Sequence, residues 1–185
     1  MPGRSPEEAR KAFLQPLQRA LSCITDAKLL VSRGKQPGDV EALALSEDPL
    51  RLSSARIGSV QFVLGHQFTV IEDRPRSWRV STTAYRYHVL DDSGRELIGW
   101  HWHPGSGGDP RLSGHPHLHV PAGVIDRRVH VPTGRVSIES VLRLLLIDLE
   151  VLPRPAHAAD FEKVLDETEE PFIKHRRWHA WKPQK

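Results

Sequence analysis

Twice between Trp100 and Val120 the chain alternates histidine with apolar residues: Trp100-His101-Trp102-His103, then His115-Pro116-His117-Leu118-His119-Val120. A helical period would spread these imidazoles around a cylinder, whereas the strand period of two places them on one face. His101 and His103 are therefore expected to point one way and Trp100 and Trp102 the other. His115, His117 and His119 share a face in the same manner, opposite Pro116, Leu118 and Val120. Such a pattern requires an antiparallel sheet with one apolar and one imidazole face. The chain around it supplies the connections. Trp78–Leu90 is rich in Val, Thr and Tyr, Asp91-Asp92-Ser93-Gly94 is a hairpin signal, and Glu96–His103 returns. A Gly/Pro/Ser loop over Pro104–Gly114 then leads to the strand His117–Val120.

The hairpin register decides which neighbours join the histidines, and the sequence leaves it open. If Leu90 pairs with Arg95, Arg86 and His88 share the face of His101 and His103. A three-residue loop with a glycine bulge brings in Tyr85 and Tyr87 instead.

Helices should cover the apolar face. Ser5-Pro6-Glu7-Glu8 carries a capping box and a proline at the first helical position, and Phe13, Leu17, Leu21 and Ile24 follow at helical spacing. Pro16 inside that stripe is expected to kink or divide the helix. Gly34–Asp39 reads as a loop, residues 40–56 are ambiguous with a break at Asp48-Pro49, and Gly65 reads as a turn between strands Val60–Leu64 and Phe68–Ile71. Arg127–Val131 is a further strand candidate. Ser137 caps a helix over 138–149, and Ala158–Glu169 reads as an acidic helix. The expectation is an α+β fold, a curved antiparallel sheet flanked by an N-terminal helix and a C-terminal helix. Its parts are a helical segment 1–35, a His-rich core 57–150, and an acidic helix with a basic aromatic tail over 151–185.

Composition narrows the function. In 185 residues there is one cysteine, Cys23, so neither an internal disulfide nor a zinc site of paired thiolates is available. The longest apolar run, Leu144–Ile147, is far shorter than the ~20 residues of a membrane span, and charged residues interrupt any N-terminal leader. A cytoplasmic protein with no membrane partner is expected. Net charge is +3, but six arginines fall in 51–90 and five Lys/Arg in 174–185, against eight carboxylates in 148–173. Interleaved aromatic and basic residues can stack on bases while neutralising phosphates. Lys174, Arg176, Arg177, Trp178 and Trp181, with Arg111 in the loop, are the candidate nucleic-acid contacts; packing of the indoles against the sheet is the alternative.

The histidines carry the chemistry. Imidazole, with an ordinary pKa of about 6.5, serves as both acid and base near neutrality, so paired histidines can cleave a phosphodiester without metal. The candidate catalytic set is His88, His101, His103, His115, His117 and His119, with Arg86 or Arg111 on the phosphate and Tyr85 or Tyr87 in the other register. Alternatively His101, His103, His117 and His119 are ligands for zinc or another divalent transition metal. A non-catalytic interaction module, or an oligomer joined through the helical stripe, is the reading from a different class.

Two resemblances bear on the choice. His115-Pro116-His117-Leu118-His119-Val120-Pro121 is similar to the motif of the histidine-triad nucleotide hydrolases and transferases, which implies that His117 attacks a phosphorus. The preceding segment departs from that family, with Gly114 directly before His115 and no Gln nearby. A longer order over roughly 57–150 resembles the TumE-type toxins of bacterial toxin–antitoxin modules: Tyr85-Arg86-Tyr87-His88, the Asp-Ser-Gly hairpin, a Trp/His strand, Pro116-His117-Leu118-His119, and the helix Ser137–Leu149. That resemblance implies a growth-inhibiting toxin acting on RNA and neutralised by an antitoxin protein.

Overall fold

A computed structural model describes residues 2–104, 114–120 and 129–175. Among these residues the fold is α+β, a nine-stranded antiparallel sheet with an N-terminal and a C-terminal helix. The elements are β1 (Pro2–Gly3), α1 (Pro6–Leu21), β2 (Leu29–Ser32), β3 (Val40–Leu45), β4 (Leu50–Ser54), β5 (Gly58–Arg74), β6 (Ser77–Leu90), β7 (Glu96–Trp102), β8 (His117–Val120), β9 (Val129–Pro132), α2 (Ile138–Arg143) and α3 (Phe161–His175). Strand order is β2-β3-β5-β6-β7-β8-β9, with β4 beside β5 and β1 beside β6. None of the helices among the described residues is long and apolar enough to cross a membrane.

The start of α1 follows its sequence. The Glu8 amide donates to Ser5 Oγ at 3.2 Å, and the Arg4 amide donates to the Glu8 carboxylate at 2.7 Å. Pro16 does not divide the helix, which runs unbroken from Pro6 to Leu21. Ala9, Leu17, Ala20 and Leu21 are buried on its inner side, and Phe13 sets its ring 5.1 Å from Phe68 on β5. Arg10 ties the helix to β3 through both oxygens of the buried Glu41, at 2.8 and 2.6 Å.

Three segments differ from expectation. The ambiguous stretch 40–56 is strand, because β3 and β4 pair with β5 and bury Leu43, Leu45, Leu50 and Leu52. Gly65 is not a turn. It lies within the 17-residue β5, paired with Arg86, and the Arg86 side chain lies across it; a Cβ there would stand 3.0 Å from Arg86 Cγ and Nε. The acidic helix starts at Phe161 and continues through Pro171 to His175.

The second apolar helix is short: α2 covers Ile138–Arg143 and passes into a π turn over Leu144–Asp148. Its amide at Ser140 donates to Ser137 Oγ at 3.0 Å, and Ile138, Val141, Leu142 and Leu145 are buried. Helices α1 and α2 cover the sheet face that carries Phe62, Leu64, Phe68, Tyr85, Tyr87, Val89, Trp100 and Trp102. The other face is left to the histidines.

Candidate metal centre

The hairpin combines the two registers. Its turn is the three-residue loop: the Asp91 amide donates to the Arg95 carbonyl at 2.9 Å, Gly94 has φ +79°, and Leu90 pairs with Glu96. One residue later Leu97 bulges out and Val89 pairs with Ile98, so Arg86 faces His101 and His88 faces Gly99. The bulge restores the parity in which Arg86 and His88 share the histidine face. Tyr85 and Tyr87 therefore leave the candidate site. They lie in the core with ring centroids 4.9 Å apart, where Tyr85 Oη accepts from the Val136 amide and Tyr87 Oη meets His66 Nδ1 at 2.8 Å. Burial pushes both phenols above their ordinary pKa, Tyr87 well above it.

Strand β8 continues the face, with His101 opposite His117 and Gly99 opposite His119. The imidazoles meet through their Nε2 atoms. His88 Nε2 is 3.1 Å from His101 Nε2, and His117 Nε2 is 3.1 Å from His119 Nε2. The rings of His101 and His119 are 3.9 Å apart between centroids. Ligand atoms of His101, His117 and His119 all lie within 4.8 Å of one another, as do those of His88, Glu96 and His101. His117 and His119 are buried, at 3% and 4% exposure. His103 stands at the margin, its ring 5.9 Å from His101 and 5.6 Å from His117.

Behind this cluster the Nδ1 atoms of His117 and His88 face oxygen. His117 Nδ1 lies 2.8 Å from the His115 carbonyl, an acceptor only, so Nδ1 carries the proton and Nε2 presents its lone pair inward. His115 thus contributes its carbonyl oxygen. Glu96 Oε2 is 2.5 Å from His88 Nδ1, and Glu96 Oε1 is 3.6 Å from His119 Nδ1. A carboxylate or carbonyl on the remote nitrogen is the arrangement that orients metal-ligating histidines and raises their basicity. Gly99 makes room for it: a Cβ there would be 2.9 Å from Glu96 Oε2 and 3.3 Å from His88 Nδ1.

Glu96 is the functional residue that alternation misses. Counting by twos from His101 puts residue 96 on the apolar face with Ile98 and Trp100. The adjacent apolar pair Leu97-Ile98 is the visible signal, since it breaks the period and marks the bulge that turns Glu96 round. Of the remaining candidates, Arg86 shares the face but is exposed and leans over Gly65, on the side away from β7. Lys174 is exposed in the last turn of α3. Arg111, Arg176, Arg177, Trp178 and Trp181 fall outside the described residues.

The class this geometry defines is an α+β protein with a half-buried polyhistidine centre on one sheet face. No family model matches the chain, and no curated protein or solved structure matches it.

Proposed function

We propose that the protein is a transition-metal protein, with His101, His117 and His119 as ligands to a zinc-type divalent ion and phosphoester hydrolysis as its chemistry. One observation carries the reading: ligand nitrogens of His101, His117 and His119 lie within 4.8 Å of one another, and the His115 carbonyl holds the remote nitrogen of His117 at 2.8 Å. Two ligand nitrogens on a tetrahedral zinc at ~2.0–2.1 Å stand about 3.3 Å apart, close to the 3.1 Å between His117 Nε2 and His119 Nε2. Such an ion supplies a bound water of pKa about 7 and a Lewis acid for a phosphoryl oxygen. The chain's own part is to fix the ligands. The His115 carbonyl sets the tautomer of His117, Glu96 holds His88 and faces His119, and Gly99 leaves the space in which that carboxylate fits. The TumE-type resemblance supplies the substrate class, RNA phosphodiesters, and an antitoxin protein as partner.

A second reading rests on the same 3.1 Å contacts. Two imidazoles at that distance share a proton, which sets a donor beside an acceptor, as general acid–base cleavage without metal requires. Elemental mass spectrometry of the purified protein, beside an RNA-degradation assay with and without EDTA, separates the two. Stoichiometric zinc-type metal, lost in H101A/H117A, together with EDTA-sensitive cleavage is the expected result. Metal-free protein that still cleaves in EDTA transfers the chemistry to the histidine pairs. Neither metal nor cleavage overturns both.

A further inference from the structure

The linker between β9 and α2 is pinned on both sides of one arginine. The Thr133 amide donates to the Pro116 carbonyl at 2.8 Å, and the Val136 amide donates to Tyr85 Oη at 3.2 Å. Between them Arg135 places its guanidinium over the Trp102 ring, Cζ 4.0 Å from the centroid. Stacking occupies the face of a guanidinium and leaves its in-plane N–H groups available to donate. Here Arg135 Nε is buried with no hydrogen-bond partner, no carboxylate pairs with the group among the described residues, and Thr133 Oγ1 in the same linker is likewise buried without a partner. Burial lowers the Arg135 pKa from the usual arginine range, which registers the cost of holding the charge there. A half-buried cation that lacks an anion is expensive, and five donors in a fixed fork match two oxygens of one anion.

We infer that Arg135, stacked on Trp102, binds an oxyanion, a phosphate or a carboxylate, through its N–H edge. The indole fixes the plane of the guanidinium and the two backbone anchors fix its position, so the donors are arranged before the ligand arrives. Trp102 lies on the apolar face of β7, and His103 follows it on the histidine side. The anion site is thus distinct from the metal centre, one residue along the chain and on the opposite face of the same strand end. It needs no metal.

The test uses the full chain in EDTA at constant ionic strength, titrated with inorganic phosphate or with acetate, and read by thermal unfolding and tryptophan fluorescence. The expected result is a saturable stabilisation by at least one of the two anions, with affinity reduced about tenfold or more in R135Q. R135K, which keeps the charge but loses the fork, should fall between. A response to phosphate alone names phosphate as the ligand chemistry, and an equal response to acetate names a carboxylate. In anion-free buffer R135Q should be as stable as the parent or more so, because an uncompensated charge has been removed. Three results would each overturn the inference: no saturable response in the parent protein, equal affinity in R135Q, or a melting temperature several degrees lower for anion-free R135Q. The last would make Arg135 a prop for Trp102.

Discussion

Both faces of the sheet carry histidine, and they treat it in opposite ways. His66 on β5 points into the helix-covered face, where Tyr87 Oη meets Nδ1 at 2.8 Å and Thr82 Oγ1 meets Nε2 at 3.0 Å. Burial drops its pKa to about 3, so it is a neutral core residue with both nitrogens engaged by hydroxyls. On the other face His88, His101, His117 and His119 are one another's neighbours, and the oxygens behind His117 and His88 turn their Nε2 atoms toward His119 and His101. The residue type does not make a site; the convergence of several lone pairs does. A core histidine satisfied by hydroxyls has no ligand atom to offer, however deeply it is buried.

The largest effect should come from the covered face. Phe62 is fully buried beneath the helices and paired with Val89. Phe62→Ala should lower unfolding free energy by about 3–5 kcal/mol, the usual cost of an aromatic cavity. Urea denaturation in EDTA measures this. A loss below about 1 kcal/mol would mean that the two faces are not energetically unequal as described.

Next is the carboxyl on that same covered face. Glu139 is 2% exposed at the start of α2, and burial first, then Glu169, raises its pKa to about 7, while Arg143 works the other way. Unfolded, the carboxyl titrates near its ordinary 4.5. The stability that comes from its protonated form is therefore complete below pH 4.5 and is lost as pH rises through about 7. His66 works in the opposite direction: its contribution is complete above pH 6.5 and is lost as pH falls toward 3. E139Q should equal the parent at pH 4.5 and exceed it by up to about 3 kcal/mol at pH 8. Stability should then only rise with pH up to the plateau above 6.5. Denaturation curves from pH 4 to 9 test both slopes, and equal stability of the two proteins at pH 8 would remove the ionisation of Glu139 from the account.

How far the comparison could be read from sequence depends on the period. Strict alternation at His101/His103 and His117/His119 gave the histidine face and the opposed Trp100 and Trp102, because a strand has no other way to place residues two apart. It failed where the strand breaks its own period. The bulge at Leu97 reverses the direction of Glu96 and fixes the parity of β6, which neither simple register describes. Gly65 looked like punctuation because composition cannot separate a turn glycine from one that lets Arg86 lie flat across a strand. Strands β2, β3 and β4 were hidden for a different reason. They are 4, 6 and 5 residues long and lack the histidine alternation that marks β8, so pairing defines them: β3 and β4 with β5, and β2 with β3.

Gly99→Ala sharpens the histidine face. The new methyl would fall 2.9 Å from Glu96 Oε2 and 3.1 Å from its Cδ, so the carboxylate must swing off His88. The ligand histidines remain, but the group that orients one of the cluster is displaced. Zinc affinity, measured by competition with a chromophoric chelator, should drop by up to about tenfold, the lower end of the outer-shell range, because Glu96 bonds His88 and stands 3.6 Å from the ligand His119. Stability in EDTA should change by less than Phe62→Ala changes it. Unchanged zinc affinity would show that Glu96 plays no part in holding the imidazoles.

The smallest effect lies at the edge of the covered face. Ser5 caps α1 by accepting from the Glu8 amide, and Glu8 in turn accepts from the Arg4 amide, so the pair holds the first turn. Ser5→Ala should cost about 1 kcal/mol in urea denaturation, the typical value of one cap. It should leave zinc affinity untouched, because α1 packs on the face away from the histidines. A Ser5→Ala protein that binds zinc more weakly would mean that the two faces are coupled through the sheet. The cap is the sensitive place to ask, because it perturbs the cover without opening a cavity in it.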